Sequence, residues 1–251
     1  MIVVDDFHKA YGRTLAVSGL SFALQAGDIL GLIGPNGAGK TTTLRALSGI
    51  ILPGRGRIQV AGHNIVTDTL AAKRKLAYIP DDPQLFPDLT VEEHLAFSAA
   101  AYGVQNADDK ADFLLQEFDL ASKRTAPARA LSRGMRQKLA ICCAYIHDPT
   151  AIFFDEPLTG LDPLGIRKLK NSMLTRAEEG AVMIVSSHLL AMVEDICSHV
   201  LILKQGEQRF FGPLEELRRS CAISHGDSSL EAAFFLATDH PSAAFVLPPS
   251  H

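Results

Sequence analysis

The spacing of apolar residues changes character along the chain, and the changes mark its organisation. Residues 2–4 form a β-branched run, and residues 15–24 alternate apolar with polar positions before a turn at Ala26-Gly27-Asp28. Residues 29–33 are almost wholly apolar, the pattern of a strand buried on both faces. The glycine-rich stretch 34–39 cannot prolong that strand. Residues 40–48 then take on helical composition, so the order is strand, loop, helix. Residues 57–60 and 75–79 read as further strands.

From residue 84 the period becomes helical. One helix spans 89–103 and opens with Thr90 and Glu93 placed as a capping box, a second spans 110–120, and a third follows Ser132 with Met135, Leu139, Cys142 and Ile146 on one face. The α/β rhythm returns afterwards. Strands are expected at 151–154 and 181–186, helices at 163–179 and 189–198, and a hairpin at 200–211 turning on residues 204–207. Short helices are expected at 213–219 and 228–237, the latter boxed by Ser228 and Glu231. The pattern describes an α/β core interrupted by a helical subdomain at about 84–148. One domain occupies 1–237, and a poorly ordered tail rich in Pro, Ser and Ala occupies 238–251. There is no internal repeat, so the chain carries one such unit.

Composition changes this picture little. With 251 residues, 47% apolar and 21% charged, the chain is ordinary globular material. A formal net charge of −4 speaks against nucleic acid as a partner, which would call for surplus clustered Lys and Arg. The four cysteines form no C-x-x-C pair, which favours buried thiols in a reducing compartment, and the nine histidines show no ligand spacing. Residues 1–9 lack the layout of a signal peptide, and no apolar run approaches the ~18 residues of a spanning helix. The chain is not expected to cross a membrane by itself.

The chemistry is concentrated in two places. Gly34-Pro35-Asn36-Gly37-Ala38-Gly39-Lys40-Thr41, followed by Thr42, fits the P-loop pattern G-x-x-x-x-G-K-[ST]. Glycines let successive amides turn inward around phosphate, the next helix adds its positive end, Lys40 supplies a cation for the β and γ phosphates, and the Thr41 hydroxyl can ligate Mg²⁺. Residues 152–154 are an apolar strand ending in Asp155 and Glu156. Asp155 would hold Mg²⁺ through its water shell, and Glu156 would accept a proton from the attacking water. Alone, two acids at a strand end could simply open a loop; with the P-loop they make a hydrolytic pair.

Between these motifs, Leu131-Ser132-Arg133-Gly134-Met135-Arg136-Gln137 resembles the LSGGQ-type signature of ABC ATPases. Ser132 is a natural N-cap, and a helix N-terminus binds anions. The resemblance runs from about residue 2 to 237. It implies a P-loop NTPase (RecA-like) α/β core with an N-terminal antiparallel β subdomain and an inserted α-helical subdomain, binding ATP and Mg²⁺. It also implies a head-to-tail dimer, with a homomeric or related second ATP-binding subunit. There Leu131, Ser132, Arg133, Gly134 and Gln137 would address the nucleotide of the partner. Tyr11 matches the aromatic that stacks on adenine, although an exposed tyrosine at a strand end would look the same. Asp162 matches the D-loop residue, and His188 the switch histidine that bonds the γ-phosphate and completes the catalytic set with Glu156 and Lys40.

One position departs from the family. After Tyr78-Ile79-Pro80 a glutamine that ligates Mg²⁺ is usual; here Asp81 stands, followed by Asp82, with Gln84 out of register. Asp81 is retained as the metal-ligand equivalent, although a carboxylate there also repels the triphosphate. The stretches 78–83, 89–94, 134–138 and 229–234 look like exporter-type cassettes paired with ABC-2-like membrane subunits. The resemblance therefore implies an ATPase subunit, peripheral on the cytoplasmic face, that drives a separate polytopic transmembrane subunit through a groove around 81–97. A cassette acting on ribosomes or chromosomes is the alternative; such proteins usually carry paired cassettes or long coiled coils, and neither appears.

Overall fold

The computed structural model describes residues 1–225 and 229–239. Among the described residues ten strands form one sheet: β1 (Ile2–Tyr11), β2 (Thr14–Leu24), β3 (Ile29–Ile33), β4 (Arg55–Val60), β5 (His63–Asn64), β6 (Leu76–Ile79), β7 (Ala151–Asp155), β8 (Val182–Ser186), β9 (His199–Lys204) and β10 (Glu207–Pro213). Their order is β5-β4-β1-β2-β10-β9-β3-β8-β7-β6. The β5-to-β2 side is antiparallel, and β9, β3, β8, β7 and β6 run parallel. The β9–β10 hairpin joins the halves, with Glu207 opposite Ser18 of β2.

The helices are α1 (Lys40–Leu47), α2 (Thr69–Lys73), α3 (Val91–Tyr102), α4 (Ala107–Glu117), α5 (Arg133–Tyr145), α6 (Pro163–Glu178), α7 (Leu190–Ile196), α8 (Leu214–His225) and α9 (Leu230–Asp239). Among the described residues no helix is long and apolar enough to cross a membrane.

Two apolar clusters explain why β3 and β7 read as continuous runs. Ile29 and Ile33 of β3, with Ile152 and Phe154 of β7, pack under α5, α6 and α7. Leu30, Leu32 and Phe153 face the opposite side, against Leu44 and Leu47 of α1 and the β1–β2 hairpin. Successive residues alternate faces, and both faces are covered. Helices α3, α4 and α5 occupy the connection between the paired strands β6 and β7. The Thr90–Glu93 capping box is formed at 3.2 and 2.7 Å.

The structure departs from the sequence-based expectations at several places. Helix α2 was not foreseen, being only five residues long. Helix α8 extends to His225 rather than ending at 219. The cap of α9 comes from Ser229, whose Oγ accepts the Ala232 amide at 3.2 Å; Ser228 lies outside the described residues. Helix α9 also continues to Asp239, past the expected boundary at 237, and residues 240–251 of the expected tail are not described. Cys142 and Cys197 are buried free thiols.

Candidate functional site

The C-terminal ends of β3, β6, β7 and β8 meet at one edge of the parallel sheet, where open α/β sheets bind ligands. The loop 34–39 leaves β3 here and curls into α1. At Gly39 φ is 107°, and a Cβ would stand 2.6 Å from the Ala16 carbonyl oxygen, so only glycine lets the loop lie this close to β2. Lys40 is buried, its Nζ donating to the carbonyls of Gly34 at 2.7 Å and Pro35 at 3.4 Å. A cleft of about 290 Å³ is lined by Ala16, the residues from Asn36 to Thr42, Asp155 and Glu156. It holds a lysine tethered only to carbonyls, beside the free amides of a helix start, which suits a polyphosphate.

Asp155 is 5% exposed. Its Oδ1 accepts from Ser186 Oγ at 2.7 Å and Thr41 Oγ1 at 3.2 Å, and its Oδ2 accepts from the Tyr78 hydroxyl at 3.2 Å. Burial, and then the charge of Asp155, push the Tyr78 phenol up to about 12, so it remains a donor at physiological pH. Among the described residues no lysine or arginine pairs with Asp155. A buried carboxylate surrounded by hydroxyls, without a cation, is a hard-oxygen donor set that fits Mg²⁺, with Thr41 and Asp155 as the residues to hold it.

Glu156 follows at φ 50°, a left-handed conformation costly for a non-glycine residue. Its amide donates to Ser186 Oγ at 3.0 Å, which helps fix that conformation. Its Oε2 accepts from His188 Nδ1 at 2.7 Å and from the His188 amide at 3.4 Å. With Nδ1 as donor, the neutral ring keeps Nε2 as an acceptor. Two carboxylates thus stand side by side in different surroundings: Asp155 enclosed by hydroxyls, Glu156 lining the cleft and braced by an exposed histidine.

The remaining residues singled out in the sequence do not line this cleft. Ser132 caps α5, its Oγ accepting from the Met135 amide at 3.2 Å. Gly134 packs so tightly on the 156–162 loop that a Cβ would stand 2.5 Å from the Gly160 carbonyl oxygen. Leu131 is buried, and so is Gln137, whose Nε2 has no hydrogen-bond partner among the described residues. Asp162 caps α6 through the Gly165 amide at 3.1 Å and lies 3.8 Å from Lys138 Nζ. Tyr11, at the end of β1, is half exposed, with Lys9 Nζ 5.5 Å from its ring centre. Asp81 does not hydrogen-bond to the Thr41–Asp155 cluster. It faces Arg133 at 3.5 Å, while the Gln84 amide is taken up by Asp82 at 3.1 Å.

Sequence reasoning missed Ser186 and Tyr78 as donors to Asp155. The signal for Ser186 was its place at the end of β8, in register with Asp155. Tyr78 sits two residues before Pro80, in a motif noticed only for the residue after that proline.

Comparison with known proteins identifies the family. The ABC transporter family model matches residues 17–159. The ABC-type transporter ATP-binding protein EcsA of Bacillus subtilis (strain 168) is 35% identical over 240 residues, covering 95% of this chain and 96% of that protein. The SkfA peptide export ATP-binding protein SkfE of the same organism is 34% identical over 209 residues, 82% of this chain and 87% of that one. A solved structure described as an ATP binding subunit of an ABC transporter superposes with a TM-score of 0.89 at 34% identity, covering 94% of this chain and 99% of the other. The chain belongs to the ABC transporter family, as an ATP-binding subunit with the P-loop NTPase fold.

Proposed function

We propose that this subunit binds ATP with Mg²⁺, hydrolyses it in a head-to-tail dimer, and drives export through a separate membrane-spanning polypeptide. The observation that carries the proposal is the Glu156–His188 pair at 2.7 Å, whose Glu156 lines the same cleft as the P-loop. One Glu156 oxygen is engaged by His188, and the other is left to take a proton from water attacking the γ-phosphate. In the doubly protonated ring Nδ1–H would stay on Glu156 while Nε2–H donates to a phosphate oxygen. Lys40 exchanges its carbonyl contacts for the β and γ phosphate oxygens. Magnesium, held by Thr41 and Asp155, would neutralise charge on those oxygens.

The dimer is supported by what the cleft lacks. No residue from 131 to 137 lines it, although Ser132 and Gly134 start a helix of 13 residues whose first amides suit an anion. A second chain, turned head to tail, would bring that helix start to the phosphates. Two exposed rings, Phe86 and Phe97, meet edge to face at 5.5 Å on the 81–97 stretch and give a membrane subunit an apolar foothold. Export as the direction follows the relative named for SkfA peptide export and the exporter-like motifs. The subunit would then lie peripherally on the cytoplasmic face.

Replacing Glu156 with Gln tests the reading. The variant should retain ATP, lose turnover by about 10²-fold or more, as removal of a positioned base implies, and accumulate as an ATP-bound dimer in sedimentation velocity. Turnover within twofold of the native chain would place the base elsewhere.

A further inference from the structure

We propose that Arg133 is the residue that makes an acid tolerable beside the triphosphate, by neutralising Asp81 of its own chain. The inference rests on the ATP-binding reading above and assigns Arg133 a positioning and charge-balancing role in that same site.

Register puts Asp81 at the reaction edge. Ile79 of β6 pairs with Phe154 of β7, so Asp81, two residues past the end of β6, leaves the sheet at the same edge as Asp155 and Glu156. A carboxylate so placed adds negative charge next to phosphates already crowded by Asp155 and Glu156, and like charges oppose binding. A neutral glutamine, the side chain the family resemblance implies at this position, would not. The molecule supplies a counter-charge from the first turn of α5. Arg133 Nη2 stands 3.5 Å from Asp81 Oδ1, and neither side chain makes another ion pair among the described residues. Gln84, the nearby side chain that could have substituted, is committed to Asp82.

The arginine stem is also guided. At Gly160 a Cβ would stand 3.1 Å from both Cγ and Cδ of Arg133 and 3.4 Å from its Nε. The stem therefore runs across a glycine surface, and any side chain at 160 would push it off. Gly134, the next residue, lies against the same Gly160 carbonyl. Arg133 thus rests on the 156–162 loop and reaches the position after β6, which an uncharged residue in this slot would not do. The start of α5, which would face the partner's nucleotide, is thereby held to the nucleotide edge of its own chain.

The test is a double-mutant cycle on ATP affinity. Binding of a fluorescent ATP analogue with Mg²⁺ is measured for the native chain, Arg133→Gln, Asp81→Gln and the double variant. The chains are kept dilute enough to stay monomeric, as checked by sedimentation velocity, which removes any effect of Arg133 on a partner's nucleotide. Half-exposed ion pairs support an effect of about two- to fivefold. Arg133→Gln should weaken binding by that factor when Asp81 is present, and by less than about 1.5-fold when residue 81 is already glutamine, because cycles isolate the pair. Arg133→Lys should recover most of the loss, and the loss should shrink at ~0.5 M salt through screening. Thermal unfolding midpoints establish that all variants fold, a readout on which a merely structural arginine would act equally in both backgrounds. Equal losses in both backgrounds, or none in either, would overturn the proposal while leaving the ATPase reading intact. A native chain that failed to bind ATP with Mg²⁺ would remove that reading, and this inference with it.

Discussion

Replacing Gly134 with alanine would add one methyl where the start of α5 meets the 156–162 loop. Gly134 is not in the left-handed region, so the cost is steric rather than conformational. The new Cβ would stand 2.5 Å from the Gly160 carbonyl oxygen, which is backbone and cannot swing aside. Carbon–oxygen contacts settle at about 3.3 Å or beyond, so helix and loop must part by roughly 0.8 Å. Overpacking of this kind costs about 1–3 kcal/mol, which lowers the melting temperature by about 2–12 °C in a chain of this size. The larger effect should fall on turnover. Both displaced segments are those expected to meet the second chain, and a misplacement near 1 Å can cost ~10²-fold in rate. ATP binding by the isolated chain, made chiefly by the loop 34–41, should weaken by no more than about fivefold, because the displaced segments reach that cleft only through Glu156 and the Arg133–Asp81 pair. The assays are ATPase rate, dilute-chain ATP affinity and thermal unfolding on one preparation. Native turnover in a folded Gly134→Ala chain would refute the claim that the closeness of these segments matters. An equal loss of affinity and rate would show that the methyl acts on the P-loop instead.

Three further outcomes are expected. Lys40→Ala should weaken ATP binding by about 10- to 100-fold, the worth of a charge-assisted contact of roughly 1.5–3 kcal/mol; unchanged affinity in equilibrium binding would dismiss the P-loop assignment. Ser186→Ala removes the 2.7 Å donor to Asp155 and the acceptor of the Glu156 amide. It should lower stability by about 1–3 kcal/mol and raise the magnesium concentration needed for half-maximal ATPase, whereas an unaltered magnesium requirement would show that Ser186 does not support the metal ligand. Burial pushes the Cys197 thiol up to about 12, whereas an unfolded thiol ionises near 8.5. Its raised folded value means that this contribution to stability is complete below about pH 8.5 and is lost as pH rises towards 12, at about 1.4 kcal/mol per pH unit. Urea midpoints should therefore decline from pH 8.5 to 10.5, less steeply in Cys197→Ala; identical slopes would contradict the burial argument.

The fold was legible where one physical signal dominated. Strands β3 and β7 announced themselves because both faces are covered, which forces five consecutive buried residues in each. Helix α3 was legible from its capping box. Strands β1 and β2 were only partly legible, since each carries exposed polar positions and β1 pairs through several irregularities that break its alternation. Helix α2 is too short for periodicity to register, and the continuity of the whole sheet through β10 rests on pairing between residues nearly 190 positions apart.

The site was legible as motifs rather than as geometry. The glycine loop 34–41 and the Asp155–Glu156 pair at the end of an apolar strand are each contiguous in sequence, so local pattern exposes them. Ser186 and Tyr78 reach Asp155 from other strands, 31 and 77 residues away, and only sheet register connects them. Asp81 was expected to join the metal ligands because of its place after Tyr78-Ile79-Pro80. In the structure its carboxylate stands 3.5 Å from Arg133, a cation 52 residues further on whose presence at a variable signature position carried no local warning.

The central claim is that one chain's P-loop and the α5 N-terminus of another enclose the same triphosphate. A crystal structure of Glu156→Gln with ATP and Mg²⁺ measures this directly. The account predicts Ser132 Oγ and the Gly134 amide of one chain within about 3 Å of the γ-phosphate held by Lys40 of the other. Finding both γ-phosphates open to solvent in that complex, with residues 131–134 remote from them while the native chain hydrolyses ATP under the same conditions, would contradict it.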